Sequence, residues 1–402
     1  MKASSAGRNE TGEPASRPFG GLHWLAAEPY RVFFYSGAVW SVIGVLLWPL
    51  FYTKWIGFYP GFAHARLMIE AFGGAFVAGF LGTAGPRMAD ATRFTLPELT
   101  WLFFLHQACA VAHLKLQHAW GDALFAIMLG SLLTFLIIRV VRFLKAPTPP
   151  QMLLAVTGVI CGIVGSLMLL SEANWIDPQR LRLANLLLYQ GLLLPPILGI
   201  GSFVFPRMLG GEMGNPTTNC FRKLDIVLPI ATALLVVSSF FVEAFVNATL
   251  GYEIRAVVSL LYMLVRVRWK PRNAGSLTTG LFWALAFGWI GLLLAPLRHQ
   301  AQRVSVEHLL YIGGFGLLML VVGSRVLFGH SDDLAGFFVK SKWVRSLVFL
   351  GVLAALTRAV PAWVPETAAS HHVYASLTWG LLACLWILWH RKRFSKRGEE
   401  TG

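Results

Sequence analysis

The sequence predicts an all-α, polytopic membrane protein of about twelve transmembrane helices, built as a threefold repeat of four-helix units. Three observations predict it. The composition suits a lipid solvent: of 402 residues, 56% are hydrophobic and 13% charged, with a mean hydropathy of +0.62. Twelve stretches are long enough to span, given that a helix rises about 1.5 Å per residue across a hydrocarbon core about 30 Å thick. The third observation is a recurring pattern. Residues 64–88, 184–208 and 302–326 are apolar and Gly-rich, and each closes on an arginine: Arg87, Arg207 or Arg325, 120 and 118 residues apart. That period is too long for solenoid repeats of about 20–50 residues and suits four helices used three times.

In chain order the first unit (29–145) holds stretches at 31–52, 62–85, 97–118 and 120–143, the last two parting near Trp120-Gly121-Asp122. The second unit (150–270) holds 152–171, 183–206, 226–248 and 252–269, and the third (275–390) holds 276–297, 306–328, 345–365 and 371–390. The repeated pattern falls on the second, sixth and tenth stretches. All twelve must be helical, because lipid cannot satisfy an open sheet edge. Pro86 and Pro206 fall near helix exits and help end them, while Pro195-Pro196 should kink the sixth helix mid-membrane. Gly73, Gly74 and Gly79 with Ala71, Ala75 and Ala78 give the second helix a small-residue face, and Gly313, Gly314 and Gly316 do so in the tenth. Such faces let backbones approach closely. No phosphate-binding loop fits these glycines, since no GxxxxGK occurs.

Basic residues orient the chain. With twelve spans, the two tails and the loops after even-numbered helices carry 25 of the 34 Lys and Arg. This asymmetry puts both termini in the cytoplasm. Nine basic residues fall on the opposite side, Arg66, Arg182, Arg255 and Arg358 among them. The net charge of +15 is therefore mostly a topology signal. The basic segment 391–402 is read as a cytoplasmic tail beside anionic lipid rather than a nucleic-acid contact. Residues 1–28 have no apolar run and are read as a mobile cytoplasmic tail rather than a signal peptide. Cys109, Cys161, Cys220 and Cys384 lie far apart with no CxxC, which supports neither a disulfide framework nor a thiolate cluster. A soluble hydrolase or kinase is excluded, for want of a catalytic constellation and of a soluble domain to hold one.

Ionisable groups inside a membrane are costly and mark function by default. Histidine dominates them. His64, His118, His299, His308, His371 and His372 fall at or near the outer helix ends, and His106 and His113 lie deeper in the third helix. His330 sits at the inner end of the tenth helix, with His23 and His390 at the cytoplasmic boundary. Neutral imidazole suits haem iron, copper and zinc; the alternative is an interfacial histidine bonded to water or a carbonyl. Counting 17 residues back from each repeat arginine gives Glu70, Gln190 and His308. These share a common interior if the repeat is symmetric, or else make three separate helix–helix hydrogen bonds. His106 and His113 share a helix face about 10 Å apart, too far for one metal, and line a polar seam or serve separate centres. Adjacent His371 and His372 point about 100° apart, against joint chelation.

The segments Ala27-Glu28-Pro29-Tyr30-Arg31-Val32-Phe33-Phe34, Tyr59-Pro60-Gly61-Phe62-Ala63-His64-Ala65 running into 79–86, and Glu307-His308-Leu309 followed by 324–330 resemble the NnrS family of bacterial membrane proteins. The resemblance implies association with haem and copper and with the cellular response to nitric oxide. By motif it implies His64, His308 and His330 as metal-site candidates, with His64 and His308 on one side and His330 on the other. The chain departs from the pattern at Arg66, where the family has a second histidine, and at Leu67, where it has an acid. Arg66 is then a partner for a haem propionate or is neutralised by Glu70 at i,i+4. The expected function is a haem- or copper-binding membrane protein of nitric oxide response or resistance. The alternatives are a transporter of a small molecule or metal complex with parallel internal repeats, and an assembly scaffold.

Overall fold

The computed structural model describes residues 22–143, 148–209, 223–267, 269, 275–331 and 339–396, and they are helical throughout apart from turns and short connections. Among the described residues twelve long helices run in chain order. They are α1 (Tyr30–Tyr52), α2 (Gly61–Met88), α3 (Leu96–Leu114), α4 (His118–Arg142), α5 (Met152–Leu169), α6 (Pro178–Met208), α7 (Lys223–Val246), α8 (Ala248–Arg266), α9 (Ser276–Leu297), α10 (Gln302–Gly329), α11 (Lys342–Ala362) and α12 (Pro365–Ser395). Eleven of them are long and apolar enough to cross a membrane. The exception is α3, a 19-residue helix carrying Glu98, His106, Gln107 and His113. The chain is thus an all-α polytopic membrane protein.

Local chemistry sets several helix starts. At α3, Thr95 and Glu98 form a reciprocal capping box, the Thr95 N–H donating to Glu98 Oε2 at 2.8 Å. Asp177 caps α6 by accepting from the N–H of Gln179 and Arg180, with Pro178 in the first turn. Asn247 caps α8 through the Leu250 N–H. Each helix bearing the repeated pattern contains a wide π-helical stretch: Leu67–Gly73 and Leu187–Gly191 at matching places, and Leu309–Gly316 about one turn further along. The helix α6 is also interrupted after Gly191 and resumes at Leu194 with Pro195 in its first turn, so the proline pair produces a break where a kink is expected.

The pattern-bearing helices form the centre. Their most apolar windows are 83% (α2), 78% (α6) and 72% (α10) buried, against at most 61% in the other eight apolar spans. The last helix, α12, packs along α1 and brings the two chain ends together. Close packing depends on glycine where α9 crosses α10: a Cβ on Gly291 would lie 2.6 Å from the Leu310 backbone nitrogen, and one on Gly314 2.8 Å from Gly288 Cα. Outward-facing Leu234, Leu261, Phe349 and Leu381 are exposed, as lipid-facing residues should be.

Residues 1–21 and 397–402 of the expected tails lie outside the described residues, as does Cys220. Residues 23–28, expected within the mobile tail, instead form a short helix, His23–Ala27, ending in an ion cluster. Glu28 Oε2 accepts from Arg31 Nε at 2.6 Å, and Glu28 Oε1 accepts from Arg87 Nη2 at 2.8 Å and His330 Nδ1 at 2.6 Å. Arg31 also donates to the Arg393 carbonyl at 2.8 Å. One carboxylate therefore ties the start of α1 to the far ends of α2 and α10, while Arg31 reaches α12.

Two predictions follow from these contacts. Gly291→Ala should lower stability by about 1–3 kcal/mol through overpacking against backbone. Gly130→Ala, where a Cβ meets nothing within 4 Å, should raise it by about 0.5–1 kcal/mol; thermal unfolding in detergent reads both. Partial burial alone would raise the Glu28 pKa, but His330, Arg31 and Arg87 outweigh it and hold the carboxyl at about 2, below its ordinary 4.5. The folded state thus binds the Glu28 proton more weakly than the unfolded chain does. Its contribution is present above pH 4.5 and is lost as pH falls through about 2. Glu28→Gln should cost about 2–3 kcal/mol at neutral pH, and the gap to the unsubstituted protein should close as pH falls through that window.

Candidate functional site

A cavity of about 450 Å³ opens between α1, α2, α6, α10, α11 and α12 at the end of the bundle where α2 begins. His64, His308 and His372 all line it, with Trp48, Tyr189, Tyr311, Arg182, Glu307 and Arg358. Trp48 stands between two imidazoles, its ring centroid 5.9 Å from that of His64 and 4.4 Å from that of His372.

The imidazoles are oriented through Nδ1. His64 Nδ1 lies 3.0 Å from the Gly44 carbonyl and His308 Nδ1 lies 2.6 Å from the Val304 carbonyl. A carbonyl only accepts, so Nδ1 carries the proton in both rings. Nε2 then keeps its lone pair, the form that ligates a metal. His372 Nδ1 is 3.0 Å from the Tyr52 hydroxyl. His371, one residue away, bonds the Thr357 carbonyl at 2.9 Å instead. Two of these histidines flank the wide helical stretches: Leu67 begins one three residues after His64, and Leu309 begins another directly after His308. Such local widening of a helix recurs at functional sites.

Charge on the cavity wall is unevenly compensated. Arg182 donates from Nε to Glu243 Oε1 at 2.8 Å and from Nη2 to Glu307 Oε1 at 2.7 Å. Tyr252 donates to Glu307 and Arg255 to Glu243, so this five-residue network joining α6, α7, α8 and α10 is internally balanced. Arg358 is different. It is 8% exposed and donates to Ser305 Oγ at 3.0 Å, yet no carboxylate reaches it among the described residues. A buried cation without a counter-charge is unfavourable, and three imidazoles are near it. The cavity wall thus brings together three imidazoles and one cation that no described carboxylate neutralises.

Other sequence-derived candidates lie elsewhere. Arg66 is buried away from the cavity wall. Its Nε lies 2.8 Å from Asp122 Oδ1 and 3.4 Å from Glu70 Oε1, and its Nη1 donates to the Tyr189 hydroxyl at 2.6 Å. The i,i+4 pairing with Glu70 is therefore present, with Asp122 the closer partner. Glu70, Gln190 and His308 do not converge: Glu70 meets His113 at 2.9 Å, Gln190 donates to the Tyr311 hydroxyl at 3.4 Å, and His308 turns to its own helix. His106 and His113 both face α2, His106 Nε2 meeting the Ala71 carbonyl at 2.7 Å and His113 meeting Glu70. His330 is at the opposite end of α10, between Glu28 Oε1 and Arg87 Nη1, the latter 2.8 Å from its Nε2. Both of its ring nitrogens are engaged there.

Sequence reasoning named His372 only as one of six histidines at the outer helix ends, and it missed Arg358, Asp122 and the Glu243–Arg255 pair as site residues. A signal existed for the arginines: Arg66, Arg182, Arg255 and Arg358 are four of the nine basic residues that break the charge asymmetry, and each is at least partly buried among acids, tyrosines or the cavity wall. No curated protein matches the chain. The NnrS protein family model matches residues 24–397. With nearly its whole length covered, the chain belongs to the NnrS family.

Proposed function

We propose that the cavity is the working centre of the protein. In this reading it holds haem or copper through His64 and His308 and serves the response to, or resistance against, nitric oxide in a bacterial inner membrane. Both termini are then cytoplasmic and the cavity opens toward the opposite side. The observation that carries the reading is the meeting of three imidazoles and one uncompensated arginine on the wall of a single cavity. Its volume of about 450 Å³ falls in the range of ligand pockets, about 300–1,000 Å³.

The residues fit such a group. Nδ1 of His64 and of His308 is fixed by a carbonyl, which presets the tautomer and ring plane. His372 supplies a third imidazole, held by Tyr52. Arg358 pairs with a carboxylate such as a haem propionate, since Arg66 is already taken by two acids. Trp48, Phe72 and Trp379 exclude water from the wall. A bound haem or copper supplies a redox-active metal able to take a diatomic ligand.

The alternative of passage of a small anionic solute rests on the break in α6 at Leu192-Leu193, since broken helices line solute paths in transporters.

Protein expressed with haem and copper supplied and purified in mild detergent should be coloured, with bands that shift on adding nitric oxide. His64→Ala and His308→Ala should each reduce cofactor affinity more than about ten-fold, read by redox difference spectra and metal analysis. A folded protein that carries neither group overturns the reading and leaves solute uptake into proteoliposomes as the measurement to make. Arg358→Gln should keep the spectrum but weaken haem retention by about 2 kcal/mol, roughly thirty-fold in Kd, as measured by haem transfer to an apoprotein acceptor. Copper alone should be indifferent to that substitution, which separates the two cofactors.

A further inference from the structure

A second group of metal-ligating side chains lies outside the cavity, where α2, α3 and α4 meet. Glu70 on α2, Cys109 and His113 on α3 and Asp122 on α4 are each 0% exposed. Cys109 Sγ is 3.4 Å from Glu70 Oε2, His113 Nε2 is 2.9 Å from the same oxygen, and His113 Nε2 is 4.0 Å from Asp122 Oδ1. In a tetrahedral zinc site, bond lengths of about 2.0–2.3 Å place neighbouring ligand atoms about 3.3–3.8 Å apart. The ligand atoms of Glu70, Cys109 and His113 all lie within 4.8 Å of one another, close enough for modest side-chain adjustment to reach that range, and Asp122 stands at the edge of this trio.

Two further observations point to a missing cation. Glu70 Oε1 and both carboxylate oxygens of Asp122 are buried without a hydrogen-bond partner. Arg66 Nε approaches two of them at ion-pair distance, without hydrogen-bond geometry. Charge makes the same point. Glu70, Asp122 and a Cys109 thiolate set against Arg66 leave two negative charges, which one divalent ion cancels, as a dry interior requires. His113 is also held in place: a Cβ on Gly121 would lie 2.3 Å from its Cε1, so the ring occupies space that only glycine leaves. Behind it, His118 Nδ1 lies 3.3 Å from His113 Nδ1 and orients the imidazole.

We propose that Glu70, Cys109 and His113 bind one divalent transition-metal ion of the zinc type, separate from the cavity, with Asp122 beside them as further negative charge. Two hard carboxylates beside one thiolate and one imidazole favour such an ion over Cu(I), which prefers soft ligands. The inference does not depend on what the cavity holds. A proton shared between Glu70 and Asp122 is the competing way to relieve the charge, with the Glu70 oxygen then simply accepting from the Cys109 thiol and the His113 imidazole.

Full-length protein in detergent, stripped with a chelator and reloaded with Co(II), tests this. Expected is one Co(II) per chain with a near-ultraviolet thiolate-to-cobalt band, displaced by Zn(II). Cys109→Ser should abolish the band, and His113→Ala should weaken metal binding more than about ten-fold. His64→Ala and His308→Ala should leave the thiolate band and its saturation at one Co(II) per chain unchanged, whatever metal the cavity imidazoles take up, which keeps failure here distinct from failure of the cavity reading. Gly121→Ala should weaken binding by displacing His113 without removing a ligand. A folded protein that takes up no Co(II), or whose band survives Cys109→Ser, overturns the proposal, and the shared proton is then the reading that stands.

Discussion

Charge carried into the middle of this bundle is answered there by opposite charge, with Arg358 on the cavity wall as the exception, and the arrangement of the central helices follows from that constraint. Water is not there to solvate an ion, so an acid or base is tolerated only against a partner. The pattern-bearing helices α2, α6 and α10 are the most buried spans, and each brings charge with it. Arg66 and Glu70 enter on α2, Arg182 on α6 and Glu307 on α10. Each is met from a neighbouring helix: Arg66 by Asp122 of α4, and Arg182 and Glu307 by Glu243 of α7 and Tyr252 of α8. These contacts specify which helix sits beside which, something that apolar packing in lipid does weakly. Among apolar surfaces the solvent is as greasy as the interior, and association there rests on close fit and polar contacts.

The close fit is supplied by glycine. At Gly291 and Gly314 the backbones of α9 and α10 come so near that any side chain would collide with main chain. At Gly121 the space is used differently, to seat an imidazole. Small residues therefore do two jobs in this chain, letting helices touch and letting a ring approach a backbone. The far end of the bundle uses charge as a clasp instead, with Glu28 bound to Arg31, Arg87 and His330 and with Arg31 bound to the end of α12.

Much of the fold was legible in the sequence because its signal is additive over long windows. Twenty apolar residues in a row read as a span whatever their order, so all twelve expected stretches correspond to long helices. The site was legible only in part, for a different reason. His64 and His308 lie on helices marked by the repeat and by the family resemblance, and both line the cavity. His372 carries no such mark. It reaches the cavity because α12 closes against α1, and nothing within α12 distinguishes it from His371, which bonds a carbonyl instead. Asp122 was hidden in the segment Trp120-Gly121-Asp122, which looked like a boundary and is the first turn of a helix. The 17-residue count back from each arginine leads to two buried positions, Glu70 and Gln190, and to His308 on the cavity wall. It could not show that three side chains at one depth turn to three different neighbours, since direction depends on the wide helical stretches.

The two polar centres are not independent in space. Tyr189 lines the cavity, and its hydroxyl receives a 2.6 Å hydrogen bond from Arg66, the cation of the cluster around Glu70 and Asp122. Arg66 follows His64 by two residues in the same turn. Rather than lining the cavity, it places its charge between two acids of the neighbouring cluster and holds the Tyr189 hydroxyl at the cavity wall. One turn of α2 therefore presents an imidazole to the cavity and a cation to the cluster, and that cation touches both centres.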